Sequence, residues 1–240
     1  MCVIYLAFDH SPDHPLILLA NRDEYYDRPA SKADFWTDFP DIYGGRDLVA
    51  GGTWLGITKG RRVAAVTNYR DPSAPPGSRS RGDLVADFLK TNTTAEEYLA
   101  EIERHSNEYS GFNLLVGEFG ERHELFYYSN RRSGIRQLSP GIYGLSNHFL
   151  DTPWPKVTNG KERFRDLLDN EATPNEEFFA LLSDKSLAQD DQLPSTGVPF
   201  ETEKALSAIF IQMPGYGTRC STILTFDKWC NWRLEERLFI

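Results

Sequence analysis

Two nearly continuous apolar runs open the chain. Residues 2–9 (CVIYLAFD) and 15–22 (PLILLANR) read as strands joined by the turn Ser-Pro-Asp-His-Pro at 11–15. Apolar residues that do not alternate with polar ones mean strands covered on both faces, so these two predict a central sheet between layers. A polar stretch follows. TWLGIT (53–58) and RVAAVTN (62–68) then form a second strand pair around Lys59-Gly60-Arg61. The segment RDPSAPPGSRSRG (70–82) is too long and irregular for a tight connector and reads as a functional or flexible loop.

Helical spacing appears next, in Leu84, Val85, Phe88 and Leu89, and then after Thr94 and Glu97, which form a capping box ahead of Leu99 and Ile102. Strand patterns return at 112–119, 123–129, 135–138 and 142–147, with a turn at 130–134. Phe164, Leu167 and Leu168 mark a third helix, and Phe178, Phe179, Leu181 and Leu182 a fourth. The chain closes on strand-like stretches at 221–227 and 231–239. Hairpins alternating with helices predict an α+β architecture around antiparallel sheets. No repeat and no linker divides the sequence, so a single domain over 1–240 is expected.

Composition narrows the function classes. The 240 residues are 40% hydrophobic and 25% charged, an ordinary globular balance. A net charge of −9 opposes binding to nucleic acid or to an anionic membrane surface. No run approaches the length of a membrane span, and the first apolar run ends at Asp9 without a basic leader. Three cysteines, Cys2, Cys220 and Cys230, are too few for a disulfide framework, which points to a reduced, cytoplasmic protein. The five histidines show no metal spacing, so no metal site is expected. Oligomeric state is not encoded in any pattern.

The candidate chemistry starts at Cys2. Either it is a small packing residue in a buried strand, or removal of Met1 leaves a thiol whose own α-amine serves as base. Asn21-Arg22-Asp23-Glu24 follows the second apolar run, and antiparallel pairing of the first two strands brings this quartet beside Cys2. Arg22 is then placed to depress the thiol pKa, and Asp23 or Glu24 to orient the α-amine. Asn68 and Asn147, at strand ends, are candidate oxyanion donors or simple turn formers. Arg219 enters the last strand region as a candidate clamp for a carboxylate or phosphate, and Arg70 and Arg81 flank the Pro/Gly loop as surface residues or further clamps. Trp54, in GGTWLG, lines the core or a pocket. His148 is the one histidine beside a candidate site residue, with a structural role or an iron or haem ligand as its two readings.

MCVIYLAF, the quartet Asn21–Glu24, GGTWLG, VTNYRDP (66–72), SRG (80–82), GLSN (144–147) and GTRCST (217–222) together resemble the NRDE family, also called the transport and Golgi organisation protein 2 family. The matching elements span the chain in order. That family is similar to the cysteine branch of the N-terminal-nucleophile (Ntn) hydrolases, which contains choloylglycine hydrolase and penicillin V acylase.

The resemblance implies an αββα sandwich of two mainly antiparallel sheets between helical layers, with Cys2 as nucleophile at the sheet mouth. It implies a catalytic set of Cys2, Arg22, Asp23, Asn68, Asn147 and Arg219. Asn21, Glu24, Trp54, Arg70, Arg81 and His148 would then surround a small-molecule substrate, a non-peptide amide or acyl thioester, with no cofactor needed for hydrolysis. One departure matters. The acylases carry Arg and Asp three residues apart, whereas here Arg22 and Asp23 are adjacent, so either that pair or Asn21 with Glu24 takes the equivalent positions. The family's association with lipid and acyl-coenzyme A homeostasis and with haem movement implies an alternative: a carrier of haem or acyl-coenzyme A that uses the same cleft without turnover.

Overall fold

The computed structural model describes residues 2–170 and 174–239. The chain divides into two compact units that interleave in sequence. One takes Met1–Asp27, Arg70–Ser73 and Pro140–Ile240; the other takes Arg28–Tyr69 and Ala74–Ser139.

The first unit contains a six-stranded sheet. Its strands are β1 (Cys2–Ser11), β2 (His14–Tyr25), β10 (Gly141–Leu145), β11 (Gln212–Met213), β12 (Tyr216–Phe226) and β13 (Trp232–Leu238), and the order is β10-β1-β2-β12-β11, with β13 also paired to β12. Helices α3 (Pro155–Leu168), α4 (Asn175–Leu182) and the short α5 (Phe200–Ala205) belong to the same unit. Along β1 and β2 the odd-numbered residues Val3, Tyr5, Ala7, Ile17 and Leu19 pack with Phe164 of α3 and with Phe178, Phe179, Leu181 and Leu182 of α4. The even-numbered Ile4, Leu6, Phe8, Leu16 and Leu18 are buried too. That double burial is why these strands lack the polar alternation of a half-exposed sheet.

The second unit is a seven-stranded meander, β3 (Ala30–Phe35), β4 (Ile42–Asp47), β5 (Leu55–Thr58), β6 (Arg62–Asn68), β7 (Phe112–Phe119), β8 (His123–Ser129) and β9 (Arg132–Gln137), each strand beside the next. Helices α1 (Arg81–Lys90) and α2 (Ala95–Arg104) bury Leu84, Val85, Phe88 and Leu99 against Ala64, Val66, Phe112, Leu114 and Val116. The capping box forms as expected: the Thr94 hydroxyl accepts from Glu97 N–H at 3.2 Å, and Glu97 Oε2 accepts from Thr94 N–H at 3.1 Å.

Several boundaries differ from the sequence expectation. β2 runs on to Tyr25, three residues past the expected end at Arg22, so Asp23 and Glu24 lie within the strand as well. The hairpin turn between β1 and β2 is correspondingly tight, at Pro12-Asp13. β3 and β4 occupy the polar stretch to which no element was assigned, and β12 begins at Tyr216, five residues early. Arg81 starts α1 and is not part of the loop.

Two sequence motifs turn out to be backbone-packing devices of the second unit. A Cβ on Gly52 would come within 2.5 Å of the Gly82 backbone, and Thr53 N–H donates to Gly82 O at 3.2 Å. GGTWLG and SRG therefore meet where side chains do not fit.

Candidate active site

One end of the six-stranded sheet gathers residues from distant parts of the chain. The β1–β2 register pairs Cys2 with Arg22, and the β2–β12 register pairs Arg22 with Cys220. On the other side of β1, Ile4 pairs with Leu145 of β10. Extending that register by two residues brings Asn147 level with Cys2, and the Ser146 hydroxyl donates to the Cys2 carbonyl at 3.2 Å. Asn147, two residues past the end of β10, thus falls in a row with Cys2, Arg22 and Cys220 of β1, β2 and β12. Adjacent strands lie about 4.8 Å apart, so Cys2 and Cys220, two strands apart, are out of disulfide reach.

This register answers which residue of the quartet stands beside Cys2. It is Arg22. Asn21 and Asp23 point to the opposite, helix-covered face. There the Asn21 amide donates to Leu182 O at 2.8 Å and Ile209 O at 2.9 Å, while its oxygen accepts from the Ser221 hydroxyl at 2.6 Å. Asn21 therefore ties β2 to β12 and to the end of α4. Asp23 accepts from the Thr218 hydroxyl at 2.7 Å, and its backbone carbonyl accepts from the Tyr216 hydroxyl at 3.0 Å. Glu24 Oε1 accepts from Tyr25 N–H at 2.9 Å.

Between Thr218 and Cys220 the β12 register slips by one residue, so Arg219 is the extra residue of a bulge beside the row. Its guanidinium donates to Tyr25 O at 2.7 Å. Asn147 is fully buried, and its carbonyl accepts from Arg70 N–H at 2.7 Å. The Arg70 side chain forms an ion pair with Glu203, the two being 5% and 4% exposed, and lies over the Trp154 ring, 5.0 Å from its centre. The ring of His148 packs on Phe149 and Trp154, with Nδ1 2.8 Å from the Thr152 hydroxyl; burial lowers its pKa.

The thiol of Cys2 departs from expectation. Burial pushes the thiol up overall and the Asp23 charge adds to it, while the terminal amino group, the Asp23 backbone N–H and, least of these, Arg22 act the other way. A standing thiolate is disfavoured, so a nucleophilic Cys2 needs a base at the moment of attack. Cys220, buried and beside Glu236, is pushed well above the ordinary thiol range. Met1, on whose removal the α-amine base depends, lies outside the described residues.

Asn68, Trp54 and Arg81 belong to the meander unit. Asn68 ends β6 opposite Phe112. The Trp54 ring covers Gly45, where a Cβ would come within 2.3 Å of it. Arg81 donates to Gly111 O at 3.3 Å. The sequence reading missed Lys156, Glu203, Ser146, Tyr216 and Thr218. Ser146 and Thr218 fall within GLSN and GTRCST, so those motifs held the signal; nothing local marks Lys156 or Glu203 as buried.

The family description Transport and Golgi organisation 2 matches residues 1–240. The chain belongs to the transport and Golgi organisation 2 family. It is 38% identical over 245 residues to the Homo sapiens transport and Golgi organization protein 2 homolog, covering 95% of this chain and 89% of that relative. Against the Drosophila melanogaster family member it is 29% identical over 253 residues, covering 95% and 88%. Among solved structures, the Caenorhabditis elegans N-acylethanolamine-hydrolyzing acid amidase ortholog shares the fold, with a TM-score of 0.56 over 100% of both chains at 11% identity. This chain therefore carries the Ntn-hydrolase-like α+β fold, with antiparallel sheets and helices, that the resemblance implied. Among the described residues no helix is long and apolar enough to cross a membrane.

Proposed function

We propose that this chain is a cysteine N-terminal-nucleophile hydrolase acting on a non-peptide amide or acyl thioester. The observation that carries the reading is the row Asn147–Cys2–Arg22 at one sheet end. It sets a sulfur beside a buried cation and level with a buried amide. The structural relative from C. elegans is described as hydrolysing N-acylethanolamines, which supports an acyl amide as the substrate class.

With Met1 removed, Cys2 Sγ attacks the acyl carbon while its proton passes to the α-amine of the same residue. The carbonyl electron pair moves to oxygen, where the Asn147 amide is the candidate donor. Collapse of this intermediate breaks the bond to the leaving amine or thiol, which takes the proton from the α-ammonium and leaves an S-acyl Cys2. Water, deprotonated by the α-amine, then releases the acid and restores the thiol. Because burial holds the sulfur protonated, this coupled transfer suits the site better than a resting thiolate.

Turnover of a panel of fatty acyl ethanolamides and acyl thioesters tests the reading. The account expects release of free acid that disappears in Cys2→Ala and survives in Cys230→Ala. Equal activity in Cys2→Ala, or none on any acyl substrate by the Met1-processed protein, would overturn it.

A further inference from the structure

Lys156 opens α3 yet is only 4% exposed. Its ammonium donates to the neutral carbonyl of Leu206 at 2.8 Å, and among the described residues it has no ion-pair contact. Of the two buried carboxylates whose charge acts on it, Asp23 and Glu203, the second is already committed. Glu203 meets Arg70 through one oxygen, and through the other accepts from the Thr196 N–H at 3.2 Å and hydroxyl at 2.6 Å. A buried ammonium left without an ion pair is costly, and such groups concentrate at functional sites.

The backbone shows what lies near it. The short segment 206–211 binds Lys156 through Leu206 O, Asn21 through Ile209 O, and Thr218 through Ile211 N–H at 2.9 Å. Thr218 in turn donates to Asp23. Lys156 and Asp23 are therefore fastened to one stretch of chain on the same helix-covered face of the sheet. Asp23 exerts the strongest charge effect on Lys156, and Lys156 the strongest of any side chain on Asp23. Tyr5 fixes the base of the lysine by donating to Lys156 O at 2.6 Å, which Gly160 permits by having no Cβ.

We propose that Lys156 is a positioning residue for the Cys2 centre: its charge keeps the Asp23 side chain a carboxylate, able to hold the amine end of Cys2. This rests on the hydrolase reading for its purpose, although the coupling itself does not. Burial pushes the Asp23 carboxyl up overall; the terminal ammonium, then Lys156, then the Thr218 hydroxyl act against that push, and Glu24 adds to it. Burial also brings Lys156 down to about 8, with Asp23, Cys2 and Glu203 raising it and Arg70 lowering it. The support given to Asp23 is thus present at neutral and lower pH, half lost near pH 8 and withdrawn as pH rises further.

Carbon-13 NMR titration of the Asp23 carboxyl and the Lys156 side chain tests the coupling directly. In Lys156→Met the Asp23 midpoint is expected to rise by about one unit or more relative to wild type. In Asp23→Asn the Lys156 midpoint is expected to fall below its wild-type value, the reciprocal of the same interaction. The two variants are read independently, so one that fails to fold leaves the other decisive. An Asp23 midpoint unmoved in Lys156→Met, or a Lys156 midpoint unmoved in Asp23→Asn, would overturn the proposal. Neither measurement reads turnover. Coupled shifts in a protein with an inert Cys2 would remove the hydrolase reading and keep the coupling; a reactive Cys2 with no shifts would do the reverse.

Discussion

The seven-stranded sheet and the six-stranded sheet are assembled in opposite ways. Every strand of the meander lies beside its neighbour in sequence, from β3 to β9. The six-stranded sheet takes β1 and β2 from the start of the chain, β10 from its middle and β12 from near its end. Their buried polar groups differ as well. In the meander unit they are mainly neutral (Thr53, Thr58, Thr67, Asn113 and Ser129), with Asp47 the one charged residue among those described. The other unit buries Arg22, Asp23, Lys156, Glu203 and Arg219. Buried charges seldom improve stability over apolar packing, so their concentration in one unit marks where the fold serves something besides its own stability. Non-local pairing is also what brings residues 147 and 220 beside the hairpin pair 2 and 22.

Substitutions can break or sharpen that contrast. Arg70→Met leaves Glu203 buried without its cation, and it should lower stability by about 3–5 kcal/mol in urea unfolding. The double variant Arg70→Met/Glu203→Leu should recover most of that loss. A single variant of near wild-type stability would mean that the buried charges of this unit are uncoupled. Gly160→Ala comes next. Its Cβ would sit 2.1 Å from the Tyr5 hydroxyl and 2.2 Å from the ring carbon that bears it, so overpacking should cost about 1–3 kcal/mol. Smallest is Thr94→Ala in the meander unit, where loss of the helix cap should cost about 1 kcal/mol by thermal unfolding. If Thr94→Ala proved the costliest of the three, the contrast between a locally built unit and a charge-dependent one would fail.

Much of the fold is legible in the sequence because local physics dictates it. The Thr94/Glu97 box, the apolar face of α1 and the strands 62–68, 112–119 and 123–129 appear where their patterns put them. β3 and β4 were hidden because Ser31, Lys32 and Asp34 are exposed and Gly44 and Gly45 have low strand propensity; backbone pairing in the sheet overrides both. Within the site, the closeness of Cys2 and the quartet followed from hairpin geometry. The choice of Arg22 over Asn21 needed the register, since one residue of slip exchanges the faces. The thiol's upward shift was hidden because burial by distant segments leaves no mark in eight residues of sequence. Lys156 and Glu203 were missed for the same reason: a lone Lys or Glu on a helix reads as solvated until its neighbours are known.

The central claim is that Cys2, placed between Asn147 and Arg22, is a nucleophile once it becomes the first residue. Intact-mass spectrometry of the natively expressed protein, before and after treatment with a fatty acyl electrophile, tests it most directly. The account predicts a chain lacking Met1 that gains one acyl group, mapped to Cys2 and absent in Cys2→Ala. A chain that keeps Met1, with Cys2 unmodified under the same treatment, would contradict it.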